Sequence, residues 1–80
     1  MRIKCKLARD MEEGTEWELE GLAPNASCEL IAFAIHTQYA PCNEVHVSHY
    51  RGNDIEVRYY PEDVEDLTTS GYTSEIWTRL

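Results

Sequence analysis

An α+β fold, a mostly antiparallel sheet in the order β-β-α-β-β-β with one helix packed on a face, follows from three features of this 80-residue chain. Apolar and polar residues alternate over residues 2–7, 15–20, 44–50, 55–60 and 72–80, the period of half-buried strands. One longer stretch, Ala26 to about Tyr39, repeats its apolar residues at helical spacing. Turn residues punctuate the boundaries, and the strands come in runs without the regular strand–helix alternation of a parallel sheet.

In the first strand Ile3, Cys5 and Leu7 share one face, and Arg2, Lys4 and Lys6 share the other. In residues 15–20 Trp17 and Leu19 oppose Glu16, Glu18 and Glu20. Pairing the two so that partner numbers sum to 22 sets Arg2, Lys4 and Lys6 against Glu20, Glu18 and Glu16. It also sets Ile3 against Leu19 and Cys5 against Trp17, so those residues and Leu7 are expected in the core. Ala8–Gly14 is then the connecting loop.

Asn25 or Ser27 is the expected N-cap of the helix, and Ala40-Pro41 ends it. Cys28, Ile31, Ala32, Ile35 and Tyr39 form its apolar stripe, which Leu30, Phe33 and Ala34 widen. A helix this apolar is expected to be covered on more than one side, and a homodimer is one way to cover it.

The second hairpin turns at Arg51-Gly52-Asn53, with Val45 opposite Tyr59, Val47 opposite Val57 and His49 opposite Ile55. Asn53 is the expected left-handed position of a three-residue loop. Pro61 stops the fourth strand, and residues 62–71 form an acidic turn or short helical turn. In the fifth strand Tyr72, Ile76 and Leu80 share one parity.

The length supports a single domain, residues 1–80, with one thin core and little room for a buried catalytic pocket. Residues 1–10 lack the apolar stretch of a signal peptide, and the run Leu30–Ile35 is too short to cross a bilayer. A cytoplasmic protein without membrane association is expected. Cys5, Cys28 and Cys42, an odd and sparse set, read as free thiols there.

Chemistry-bearing constellations are weak. Cys28, His36, Cys42 and His46 have the residue types of a zinc site but no paired ligand spacing, and His46 and His49 fall on opposite faces of a strand. A Cys–His nucleophile pair lacks any local signature. The acids show no EF-hand spacing, and Gly14, Gly21, Gly52 and Gly71 are scattered as turns. The expectation is no enzyme, no metal and no cofactor.

Charge is the strongest signal. Fifteen acids against seven bases give a net charge of −8. That repels nucleic acid and anionic membranes and attracts basic surfaces. Arg2, Lys4 and Lys6 are consumed by the expected ladder to Glu16, Glu18 and Glu20. The excess then lies in two clusters: Asp10, Glu12 and Glu13, and Glu62, Asp63, Glu65 and Asp66. No lysine or arginine occurs between Asp10 and Tyr50. Such clusters are ordinarily solvated loops that keep a protein soluble. They also imitate phosphates, since carboxylates two residues apart on a strand are about 6.6 Å apart. These seven acids are the candidate partner-binding residues.

In its short length, strong negative charge, lone helix with a small sheet, and the acidic runs DMEE and EDVED, the chain resembles the small acidic phage-encoded inhibitors of bacterial defence, anti-CRISPR proteins among them. The resemblance spans the whole chain as composition and layout, and transfers no site residue. It implies a protein of the host cytoplasm that occupies the nucleic-acid-binding groove of a basic protein or ribonucleoprotein complex. The alternative is a regulatory or structural protein–protein interaction module whose acidity serves solubility.

Overall fold

The computed structural model of the chain describes residues 2–7, 15–23, 25–63, 65–66 and 68–79, with side chains from Leu19 onward. It is a small α+β structure in which one helix packs on an antiparallel sheet. The helix α1 (Cys28–Gln38) is followed by strands β3 (Asn43–Arg51), β4 (Asp54–Pro61) and β5 (Thr73–Arg79). The strands β3, β4 and β5 pair antiparallel in that order. On the far side of β5 the backbone of β1 (Arg2–Leu7) pairs with it, and β2 (Thr15–Glu18) pairs with β1. The sheet therefore reads β2-β1-β5-β4-β3, with β3 at one edge.

The β3–β4 hairpin has the expected register from Val45–Tyr59 through His49–Ile55. Its turn differs. Arg51 pairs with Asp54, the register shifts between His49 and Arg51, and Gly52 holds the positive φ of +56°. No non-glycine residue among those described has a positive φ, so Asn53 is not the left-handed position. Glycine adopts that conformation without a Cβ clash, which is why the turn settles on it.

The β1–β2 register also differs from expectation. Arg2 lies opposite Glu18, Ile3 opposite Trp17, Lys4 opposite Glu16 and Cys5 opposite Thr15, a shift of two residues. Such a shift preserves both faces of a pleated strand, so alternation alone does not separate the two registers. The deciding residues follow the strand. Leu19 is buried in the core, Glu20 exchanges backbone bonds with the Gln38 side chain (3.4 and 3.3 Å), and Gly21 turns at φ +76°. Glu20 is thereby drawn out of β2. The core placement expected of Ile3, Cys5, Leu7 and Trp17 lies outside the described side chains.

The helix starts two residues later than expected. Ser27 is its N-cap, accepting from the Leu30 N–H at 3.3 Å, and Tyr39 closes it with its N–H on the Ile35 carbonyl. One side of α1 is covered: Ile31, Ala34 and Ile35 are buried against Leu19, Ile55, Val57 and Trp77. Ala32 stays half-buried, while Leu30, Phe33 and Tyr39 are exposed. Coverage on more than one side is not found among the described residues. In β5 the inward side chain is Trp77, fully buried; Ile76 is half-buried and Tyr72 is exposed. The indole N–H of Trp77 donates to Glu75 Oε2 at 2.6 Å, and the Tyr59 hydroxyl donates to the same oxygen at 3.2 Å.

The described residues among 62–71 are turns and bends, with no helix. No described helix is long and apolar enough to cross a membrane.

Candidate functional site

Strand directions sort the charges. Because β3 and β4 are antiparallel, the start of β3 lies beside the end of β4: Asn43 faces Pro61 and Glu44 faces Tyr60. The start of β5 lies there too, with Thr73 opposite Tyr59. The chain leaves β1 at Leu7, opposite Glu75 of β5, and enters β2 at Thr15, opposite Cys5. The connection from β4 to β5, which carries the second acidic run, therefore departs from and returns to this end of the sheet. Asp10, Glu12 and Glu13 themselves lie outside the described residues.

Glu62, Asp63, Glu65 and Asp66 are all exposed at that end. Glu44 joins them through its pairing with Tyr60, although it stands alone in the sequence. The hairpin register carried the signal for Glu44, since it aligns that residue with the end of β4. Among described side chains, seven acids are exposed: Glu20, Glu29, Glu44, Glu62, Asp63, Glu65 and Asp66. Arg51 is the one exposed lysine or arginine among those described side chains.

Among the described side chains the cations stand elsewhere. Arg51 closes the β3–β4 turn, and the Arg79 N–H donates to the Asn53 carbonyl at 2.9 Å, so both lie at the opposite end. At about 3.4 Å per residue, the eight residues of β4 separate the two ends by roughly 24 Å. Arg58 is mid-strand and engaged: its Nε donates to Glu56 Oε1 at 2.9 Å and its guanidinium lies 4.7 Å over the Tyr72 ring. Its hydrogen bond to Tyr60, reinforced by Glu56, pushes its pKa up, so it stays charged.

The four acids after Pro61 are not equivalent. Asp66 Oδ1 accepts from the Thr68 hydroxyl at 2.7 Å and from the Thr68 N–H at 3.0 Å. Its carbonyl accepts from the N–H groups of Thr69 and Ser70. The Thr68 hydroxyl, then its N–H, hold the Asp66 carboxyl below the usual aspartate value. Asp66 thus organises the turn, an arrangement characteristic of Asp in loops. Glu62, Asp63 and Glu65 remain as the open carboxylates of the segment.

A groove of about 400 Å³ lies between α1 and the edge strand β3. Cys28, Ala32 and Phe33 line it from the helix, Val45 and Val47 from the strand. His36 is fixed at its wall, donating from Nδ1 to the Asn43 carbonyl at 2.7 Å. His46 packs edge-on to Tyr60, with ring centroids 5.3 Å apart. Its Nε2 is shielded and lies 3.3 Å from Glu44 Oε1, close enough for attraction but without an aligned hydrogen bond. Cys28 and Cys42 are free thiols. Among the described residues no three His, Cys, Asp or Glu side chains gather to hold a metal ion, so Cys28, His36, Cys42 and His46 do not assemble as ligands.

No protein-family model, curated protein or solved structure matches this chain.

Proposed function

We propose that this chain is a non-enzymatic, acidic binding protein that docks one end of its sheet on the basic groove of a nucleic-acid-binding complex and keeps nucleic acid out. The observation that carries the reading is topological. Glu44, Glu62, Asp63 and Glu65 stand exposed at one end of the β3–β4–β5 sheet, while Arg51 and Arg79 lie at the other. Charges gathered at one end make a directional field, which steers an encounter with a basic surface far better than the same charges spread evenly. The reading takes the six elements β-β-α-β-β-β as one body, so that Asp10, Glu12 and Glu13 add to the same end.

The test reverses the three open carboxylates, Glu62→Lys, Asp63→Lys and Glu65→Lys, which moves the net charge from −8 by six to −2. The unaltered chain, immobilised, is expected to retain nucleic-acid-binding proteins at low salt, to lose them as salt rises, and to be displaced by added nucleic acid. The reversed chain is expected to retain none of them. Equal retention by both chains across the salt series rejects the proposal.

A second reading, an interaction module whose acidity serves solubility, draws on the apolar groove beside exposed Phe33. It predicts retention that is insensitive to salt and lost with Phe33→Ser.

A further inference from the structure

The edge strand β3 is nine residues long and ends the sheet, with no strand paired to its outer side among the described residues. The direction of its backbone groups follows from Asn43. Its carbonyl accepts from His36 Nδ1 and its N–H donates to the Ala40 carbonyl, while its partner Pro61 has no N–H to offer. Asn43 therefore turns both backbone groups away from β4. In an antiparallel ladder this alternates, so Val45, Val47 and His49 also direct their N–H and C=O groups outward, and Glu44, His46 and Ser48 direct theirs to β4. The outer edge between Val45 and His49 carries none of the usual protections: no proline, no lysine and no bulge, the register shift coming only after His49.

We infer that this edge pairs antiparallel with β3 of a second copy of the chain, about a two-fold axis at Val47. Three observations select that occupant and register. The outward groups fall on odd residues only, and a two-fold at Val47 matches odd with odd: Val45 with the partner's His49, and Val47 with the partner's Val47. Every outward group between Val45 and His49 is then bonded. The pairing also sets Glu44 against the partner's Tyr50, whose ring lies under the Arg51 guanidinium at 5.5 Å. Each copy thus brings the acid that starts its β3 to the cation that ends the other's, twice over by symmetry. Finally, Cys28, Ala32 and Phe33 of α1 line a groove with Val45 and Val47 of this edge strand, and Phe33 is 67% exposed, so a strand added to β3 has apolar surface beside it to cover. The dimer engages Glu44, while Glu62, Asp63 and Glu65 of the two copies lie at opposite ends and stay free for docking.

This association shares Glu44 with the acidic end but uses none of Glu62, Asp63 and Glu65, so the two are separable by substitution. Added salt screens the repulsion between two bodies of −8 each, so the dimer persists at ionic strengths that release an acid-to-base complex.

The test is sedimentation equilibrium with amide hydrogen exchange on the intact chain. The expected dimer has a mass of twice 9.3 kDa. In it the amides of Val45, Val47 and His49 exchange at least about tenfold more slowly than in dilute solution, while those of His46 and Ser48 are protected at both concentrations. Val47→Pro removes one outward N–H without breaking the β3–β4 ladder, and is expected to leave a folded monomer. A 9.3 kDa species at the highest concentration reached overturns the inference. So does a dimer whose Val45, Val47 and His49 amides exchange as in dilute solution, or one that survives Val47→Pro.

Discussion

Ile35 and Phe33 sit two residues apart on α1 and make opposite claims on the fold. Ile35 is fully buried between helix and sheet, whereas Phe33 is 67% exposed. Ile35→Ala deletes three carbons, about 2.4 kcal/mol of transfer free energy at ~0.8 kcal/mol each. The cavity left among Leu19, Val57 and Trp77 raises the cost to about 3–4 kcal/mol. A domain of this size has roughly 4–12 kcal/mol in total. In urea, with a slope of ~1 kcal/mol per molar, the midpoint should therefore fall by about 3 M. Phe33→Ala, read where the chain is monomeric, should move stability by no more than about 0.5 kcal/mol. Circular dichroism at 222 nm, a wavelength reporting the helix, follows both transitions. Equal costs for the two substitutions, or a cost below about 1 kcal/mol for Ile35→Ala, would refute the placement of the helix on the sheet.

Gly52→Ala should destabilise the β3–β4 turn by about 1–2 kcal/mol, since φ is +56° there; thermal melting reads it, and a neutral result would contradict the turn geometry. The folded pKa of Asp66 lies below its unfolded value, so its contribution is fully present above the unfolded value of about 3.9 and is lost as pH falls through the lower folded one. A carboxyl titration by NMR should show that depressed midpoint, and Thr68→Val should return it toward the ordinary range. The reversed chain Glu62→Lys, Asp63→Lys, Glu65→Lys should melt within about 0.5 kcal/mol of the parent per site, because all three are exposed; unfolding would show that these acids hold the fold, not a partner. Asp66→Lys, by contrast, should disorder the Thr68–Ser70 backbone as judged by amide exchange.

Local chemistry was legible in the residues wherever one short-range rule applied. Ser27 before an apolar helical run capped it, and Val45 and Val47 found Tyr59 and Val57 because the short turn at Arg51-Gly52-Asn53 fixes the register of the hairpin. The β1–β2 register was not legible, because shifts of two residues leave every face unchanged and the outcome turned on Leu19 and Glu20 beyond the strand. Which helix residues enter the core was likewise open. Ala32 and Ala34 are equally apolar, and only the angle at which α1 meets the sheet buries Ala34 and leaves Ala32 at a groove.

The amino-acid sequence by itself determined the excess of negative charge, the segments that carry it and the alternating patterns from which the sheet is built. These are properties of neighbouring residues and need no distant contact. Only the tertiary structure decided that Glu44 joins the exposed acids after Pro61 at one end and that β3 is left as an open edge among the described residues. The reason is that strand order and direction are set by long-range pairing, here β5 coming back between β1 and β4. Pairing of that kind depends on burying Trp77, Ile55 and Val57 together under Ile31 and Ile35, a condition no single segment carries.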